Sequence, residues 1–448
     1  ARYNQMIAMT MLADVILLGH EKVGSYALAQ PLSAKVLTPT GWSTMAQMEV
    51  GSKVVCPLGY ESEVVGVFDH GRRPVYQVTL ADGRQVLADA QHKWVVTHAQ
   101  WKAYAVPSHP RMPWAASAPD SYSNLESHGI LTTEQLAQRM RDGYKASRFH
   151  VPRCAPVEYT PQNELPIDPY ILGVLLGDGN IPPRRARGVG GPVLTTGDDE
   201  LAAEVNNRLP VRHRLVARKS ASRAKNFRIS GPLGRGNNEI INALDVLGLI
   251  GSTSHNKFIP AICFTASTDE RLWLLRGLMD TDGQVSKDGQ IRYSSVSENL
   301  RDGIVELVRG LGGTASVSSR TSYGYTHPIT RLRVEKTTVS WLVTIQMPDG
   351  MNPFCLNRKA GRVKPFIETR PKATGIVSIA LVREDDVRCI AVSSPSGMYV
   401  TDGYTPTHNS SSKTTLFATA LGAFLDEIEE VLNRHLVPRL YTLNGWPL

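Results

Sequence analysis

Cysteine is scarce in this sequence and thinly spread: Cys56, Cys154, Cys263, Cys355 and Cys389 are its five cysteines in 448 residues. An odd number at wide spacing, with no Cys-x-x-Cys, excludes a disulfide framework and a paired-cysteine zinc site, and it fits a reducing cytoplasm. Long hydrophobic runs are lacking as well. The run from Met6 to Leu18 spans about thirteen residues and contains Asp14, too short and too polar to cross a bilayer. No basic start followed by a small-residue cleavage site is present, so no secretory signal is expected. These absences predict a soluble intracellular protein with no membrane partner. Acid is missing from one stretch. Between Arg208 and Arg228 stand Arg208, Arg212, Arg214, Arg218, Lys219, Arg223, Lys225 and Arg228 without one carboxylate. Such a run reads either as a solvated basic face or as an electrostatic track for a phosphate backbone. The whole chain carries 49 Lys and Arg against 41 Asp and Glu.

The length suggests two to four domains as a soft prior. An apolar helix is expected to end near Gly19. From Pro31 to about residue 100, apolar and polar residues alternate between Gly and Pro turns, the pattern of short strands. Residues 104–165 read as a connecting region with one helix, roughly Thr132 to Arg141. A mixed helix and strand pattern follows to about residue 370, and short β-runs return from Ala373 to Thr405. From Lys413 apolar residues recur at helical spacing, with Pro438 expected to close that helix. A β-region is thus interrupted by a large α+β insert, with helical flanks outside.

Two segments of the insert repeat one another. ILGVLLGDG covers Ile171 to Gly179 and LRGLMDTDG covers Leu275 to Gly283. Each is an apolar helix with a small residue at its third position, ending in an acid before Gly. Either alone is a buried helix with a Gly cap. Two copies beside a basic run suggest a pair of helices that pack closely and deliver Asp178 and Asp282 to one point. Two hard oxygen ligands near a phosphodiester are a way to hold Mg2+ for hydrolysis. These motifs resemble the LAGLIDADG homing endonucleases. The resemblance implies a pseudo-twofold domain with β-ribbons in the major groove of double-stranded DNA. It also covers NKFIP and implies that Lys257 is a basic group near the scissile phosphate.

The string THNS at Thr407–Ser410 raises a different chemistry. The side-chain amide of Asn409 can attack its own carbonyl, forming a succinimide and breaking the chain after it. A neighbouring His408 can supply the proton transfer, and the hydroxyl of Ser410 can accept an acyl group. Helix capping or a turn explains the tripeptide equally well in isolation. In company with AKVLTPTGW, ADAQHKW and VRCIAV…MYVTDGYTPTHNS, in that order, the chain resembles an intein over about residues 31–409. The resemblance implies an all-β Hint (horseshoe) splicing domain interrupted by an α+β LAGLIDADG endonuclease domain, between host flanks, or exteins, in cis. The expected boundaries are 1–30 for the N-extein, 31–148 and 373–409 for the splicing domain, 149–372 for the endonuclease and 410–448 for the C-extein. The intein is expected to be monomeric and to need no cofactor for splicing.

Most inteins begin with Cys or Ser, yet ALAQPLSAKVLTPTG offers neither at the expected junction, Gln30–Pro31. Cys389 stands in VRCIAV where most inteins carry Asp, Trp94 lies two residues after His92, and Thr407 precedes His408. This trio resembles the class 3 inteins and implies that Cys389, partly thiolate, attacks the Gln30 carbonyl while His92 protonates the departing Pro31 nitrogen and Trp94 packs beside the junction. Each residue has a plainer reading, as a core thiol, a core ring or a strand hydroxyl. Asp89 departs from the family, which has Thr there; a carboxylate could orient His92, raise its pKa or face solvent. The flanks, read together, resemble a segment of phage portal-like head proteins, implying a host protein made in infected bacterial cytoplasm. Two other readings stay open: an intein whose insert has decayed to DNA binding, and a non-splicing structural phage protein.

Overall fold

A computed structural model describes residues 29–98, 130–145, 149–161, 163–183, 191–218, 224–232, 238–322, 325–326, 333–334, 338–364, 373–408 and 437–444. The helices expected before Gly19 and from Lys413 lie outside these residues. A separate described helix, Val437–Asn444, carries Pro438 in its first turn, where proline is tolerated; whether Pro438 closes the helix expected from Lys413 lies outside the described residues.

The flanking β-regions form one body. In place of runs of short strands, two strands of 20 residues, Glu61–Leu80 and Ala373–Val392, pair antiparallel along their length. Gly71 and Pro74, which look like turn residues, lie within the first of them. The ladder absorbs them through register shifts, one of which falls between Val387 and Arg388. Such bulges kink a strand and re-aim its side chains without ending it. Lys53–Val55, Phe149–Pro152 and Thr97–His98 extend this sheet, Gln85–Asp89 joins Glu61–Leu80, and Gln30–Pro31 joins Ala373–Val392. A second sheet orders Thr405–His408, Met398–Thr401, Lys35–Thr38 and Gly41–Thr44. The helix expected from Thr132 runs over Thr133–Arg141, with the Thr132 side chain accepting from the Gln135 N–H.

The expected boundary at 149 falls inside this body. Phe149–Pro152 pairs with the start of the long strand at Ala373–Gly375, and Cys154, Val157 and Tyr159 pack with Leu37, Val55 and Tyr404. Apolar residues in a stretch rich in Pro and Ser carry that extension, which composition alone conceals.

The insert proper has two halves of one plan. Helix Pro169–Gly177 precedes a sheet ordered Gly179–Asn180, Val193–Thr196, Lys225–Ser230, Arg214–Arg218; helix Thr268–Asp282 precedes one ordered Gly283–Val285, Ile291–Ser295, Thr338–Gln346, Thr314–Ser322. The two leading helices cross at Gly173 and Gly277. A Cβ on Gly173 would lie 2.3 Å from the Leu274 carbonyl oxygen, and one on Gly277 would lie 2.3 Å from that of Tyr170. Only backbone fits there, and the close approach brings both helix ends together. No helix among the described residues is long and apolar enough to cross a membrane.

Insert and β-body meet at a polar seam. Glu306, on helix Glu298–Gly310, accepts from Trp42 Nε1 at 2.6 Å and from the Tyr404 hydroxyl at 2.8 Å. Tyr404 holds φ at +63°, a conformation that non-glycine residues adopt only under constraint. Arg84 donates to the Tyr404 carbonyl at 3.3 Å and to Thr374 Oγ1 at 2.8 Å while paired with Asp82. The strand Thr405–His408 therefore leaves from a residue fixed on both sides.

Gly277→Ala should lower the stability of the insert by about 3 kcal/mol, because a rigid backbone cannot yield to the added methyl. Gly197→Ala, where nothing lies within 4 Å, should change stability by no more than about 0.5 kcal/mol. Urea unfolding followed by circular dichroism compares the two.

Candidate active sites

The junction expected at Gln30–Pro31 is a two-residue strand. Gln30 pairs with Arg388 and Pro31 with Val387, so the bond between them lies one residue from Cys389 along the partner strand. The Gln30 side chain is gripped from two sides: its Nε2 donates to the Leu87 carbonyl at 3.2 Å, and its Oε1 accepts from the Tyr399 hydroxyl at 2.9 Å. The preceding Ala29 carbonyl accepts from the Asp89 backbone N–H at 3.0 Å.

Cys389 is buried to 1% exposure. Burial, with the nearby charge of Asp89 second, pushes its thiol up to about 12. The expected partial thiolate is therefore corrected: apolar surroundings and a neighbouring carboxylate both favour the protonated thiol at rest. Asp89 does not face solvent. It too is 1% exposed, and burial raises its carboxyl to about 6 against the opposing pull of Arg73, whose guanidinium lies 3.2 Å away.

His92 is fully buried, and its Nε2 lies 2.5 Å from Thr407 Oγ1. Trp94 stands edge-on to the imidazole, with ring centroids 5.1 Å apart, and donates from Nε1 to Thr133 Oγ1 at 2.9 Å. Trp94 is also buried in the apolar cluster of Val78, Val86, Leu131, Leu136 and Phe149, so the core reading holds for it alongside the contact with His92. Thr407 sits opposite Tyr399 in the second sheet, and His408 opposite Met398. Asn409 and Ser410 lie outside the described residues. Tyr399, Arg73 and Leu87 were not singled out from sequence; a tyrosine in MYVTDGY carries no signal beyond a strand pattern.

In the insert, Asp178 caps helix Pro169–Gly177 and Asp282 ends helix Thr268–Asp282. Asp282 opens to solvent on one side while the domain dehydrates the other. Dehydration, then the charge of Asp178, raises it to about 6; dehydration also raises Asp178. Lys257 is not an exposed lysine. It is 4% exposed, and its Nζ donates to the carbonyls of Leu175, Gly177 and Gly179 at 3.0, 2.9 and 2.7 Å. Lys359 repeats this under the second helix, with Met279, Asp280 and Gly283 carbonyls at 2.9, 2.8 and 2.6 Å. Burial lowers both lysines to about 8. Each ammonium satisfies carbonyls at a helix end. Lys359 escaped sequence reading because NRKAG matches no motif, although its distance downstream of Asp282 nearly equals that of Lys257 from Asp178. Asp280 has another duty, accepting from the Tyr170 hydroxyl and the Leu356 backbone. Two dehydrated carboxylates that repel each other suit a divalent cation, which relieves both penalties. Among the described residues no group of three or more His, Cys, Asp or Glu could hold a metal.

The basic run divides. Arg214, Arg218 and Arg228 are exposed on the outer face of the first sheet, set by the registers Arg214↔Ser230, Val216↔Arg228 and Arg218↔Asn226. Arg212 is exposed in the turn before them. Arg208 is a scaffold residue, 2.6 Å from Glu204 and 3.8 Å over the Trp273 ring. Lys225 lies on the other face and pairs with Asp199 at 2.6 Å. Lys219 and Arg223 lie outside the described residues. In the second sheet Arg292 and Arg320 occupy the outer-face parity that sequence reading missed.

Comparison with known proteins agrees with the plan of the insert. Residues 269–342 match the LAGLIDADG-like domain family. The chain is 28% identical over 407 residues to a replicative DNA helicase DnaB of Mycobacterium intracellulare, covering 89% of this chain and 61% of the helicase. It therefore spans about three fifths of that relative's length. A homothallic switching endonuclease of Saccharomyces cerevisiae is 32% identical over 94 residues, 20% of this chain and 16% of that protein. Among solved structures, the MchDnaB-1 intein (N145AA) is 12% identical and covers 85% of this chain and 99% of its own, with a TM-score of 0.25.

Because the folded Asp282 binds its proton more tightly than the unfolded chain does, the stability it contributes is present below about pH 4 and is lost as pH rises through about 6. Asp282→Asn should flatten this fall and raise the melting temperature at pH 7.5 without divalent cations by about a degree, since solvent screens a side chain exposed on one side. Melting curves across pH check it.

Proposed function

We propose that the chain is an intein that excises about residues 31–409 and ligates its flanks, with a DNA homing endonuclease inserted in it. The observation that supports the reading is the pairing of Gln30–Pro31 with Arg388–Val387, next to the buried Cys389. The His92–Thr407 contact adds support, since it ties the upstream apparatus to the strand that leads to Asn409.

The chemistry follows the class 3 order. Cys389 loses its proton and its sulfur bonds to the Gln30 carbonyl carbon. The C–N bond to Pro31 breaks, the nitrogen takes a proton with His92 as donor, and the N-extein rests on Cys389 as a thioester. The Ser410 hydroxyl takes the acyl group and the thiol re-forms. The Asn409 amide nitrogen attacks its own carbonyl, the bond to Ser410 breaks, and His408 protonates the new amine. That amine then displaces the ester, leaving Gln30 joined to Ser410 by a peptide bond. Backbone pairing, the Tyr399 hydroxyl and the Leu87 carbonyl hold the first acyl group in place, and such positioning supplies much of the acceleration such reactions need.

The insert would cut double-stranded DNA. Arg214, Arg218, Arg228, Arg292 and Arg320 on the outer sheet faces support a phosphate-tracking surface, and Asp178 with Asp282 would hold Mg2+. The cation would supply Lewis acidity and activate water for phosphodiester hydrolysis. The host is proposed on the flank resemblance: a portal-like head protein of a bacteriophage, spliced in the bacterial cytoplasm.

Intact-mass spectrometry of the expressed 448-residue chain tests the reading. Wild type should yield ligated flanks and a free species of about 31–409, and Cys389→Ala should yield neither ligated product nor upstream cleavage. Splicing by Cys389→Ala would overturn the assignment of the nucleophile. For the insert, Asp178→Asn or Asp282→Asn should abolish Mg2+-dependent DNA cleavage while leaving splicing intact.

A further inference from the structure

A thiol held at about 12 by its surroundings cannot attack an amide until something accepts its proton. The proposed splicing reaction leaves that acceptor unnamed. His92 serves as an acid toward the Pro31 nitrogen, and its Nε2 meets Thr407. Tyr399 donates its hydroxyl hydrogen to Gln30, and Arg388 is a cation engaged with Asp69 at 2.6 Å.

One group remains. Asp89 ends the strand Gln85–Asp89, and its backbone N–H holds the Ala29 carbonyl at 3.0 Å, on the residue immediately before the scissile one. On the other side the strand bearing Cys389 pairs with Gln30 through Arg388. Asp89 and Cys389 thus flank the same dipeptide from two strands. One carboxylate oxygen, Oδ2, meets Arg73 at 3.2 Å; the other, Oδ1, is buried and makes no hydrogen bond of good geometry, though the backbone N–H groups of His92 and Gln91 lie close enough to favour the charged carboxyl. A buried carboxylate oxygen so weakly bonded costs stability and keeps room for a proton. The intein pattern carries Thr here, and a hydroxyl in its place would be a far weaker base.

We infer that Asp89 is the general base of the first step, taking the Cys389 thiol proton on Oδ1 as the sulfur bonds to the Gln30 carbonyl carbon. The proton moves from sulfur to carboxylate, and the amide electrons leave with the Pro31 nitrogen. Asp89 returns the proton when the thioester is discharged and the sulfur leaves as thiolate. Arg73 holds Oδ2 and so aims Oδ1, and the carboxyl, sitting at about 6, is ionised at neutral pH yet basic enough to serve. The charged and titratable groups around it are Arg73 on the long strand, His92 in the following turn and Cys389 on the opposing strand. This inference rests on the splicing reading.

The test uses the full chain with Asn409→Ala, which stops the reaction after the upstream step, and follows release of residues 1–30 by hydroxylamine. Without further change the rate should rise through a midpoint near pH 6. Asp89→Asn should slow release by about a hundredfold or more and erase that midpoint; Asp89→Glu should recover part of the rate with a shifted midpoint. Downstream cleavage, measured with Asn409 restored, should persist in Asp89→Asn. An unchanged rate and pH profile in Asp89→Asn would overturn the assignment, as would loss of both junction reactions or failure of Glu to do better than Asn, which would mark Asp89 as scaffold alone. Cys389→Ala is run alongside: release of residues 1–30 by that variant would refute attack by Cys389 itself, a failure distinct from that of its base.

Discussion

Everything at the proposed upstream junction depends on one short stretch of backbone pairing, that of Gln30–Pro31 with Val387–Arg388. Without it a buried thiol in a strand is only a core residue. With it, the carbonyl of a fully buried Gln30 is placed against the one strand that carries Cys389. The register shift between Val387 and Arg388 sits at this spot, where a bulge can turn side chains that a regular ladder would point elsewhere. The long strand Ala373–Val392 spans the whole arrangement, from Phe149–Pro152 at its start to Gln30–Pro31 near its end.

The second constraint is the linkage between the two ends. Tyr399 reaches Gln30 with its hydroxyl and stands opposite Thr407 in the sheet; Thr407 reaches His92. Two neighbouring strands thus carry side chains that reach Gln30 and His92. The insert contributes as well, since Glu306 and Arg84 fix Tyr404, from which Thr405–His408 departs. The insert's own chemistry obeys a separate rule. Helices that meet at glycines deliver two carboxylates and bury two lysines beneath them, an arrangement that costs stability in the absence of a cation.

Much of this was legible in the sequence at the level of residues, and little at the level of adjacency. ILGVLLGDG and LRGLMDTDG announced both helices, their small contact residues and their terminal acids, because close backbone packing leaves a local mark. Cys389, Trp94, His92 and Thr407 could be named by motif, yet that Trp94 braces His92 and that the thiol rests protonated are consequences of burial, which no spacing reveals. The 20-residue strands were hidden by Gly71 and Pro74, which mark turns in isolation and are accommodated here by bulges. Arg208 looked like its basic neighbours until Trp273 and Glu204, distant or ordinary in sequence, claimed it. Lys359 carried no positive signal and mirrors a motif residue through pseudo-symmetry; Asp89 stood out as a departure from the family's Thr, but its burial beside Arg73 could not be read from the chain.

The central claim is a covalent bond between Gln30 and Cys389. The most direct measurement isolates the branched species that accumulates when Asn409→Ala is combined with Ser410→Ala, digests it at mildly acidic pH, and sequences the linked peptides by tandem mass spectrometry. A peptide ending at Gln30 joined through its carbonyl to the sulfur of Cys389 is the predicted result. An acyl group ending at another residue, carried on another side chain, or absent from a species cleaved upstream would contradict the account.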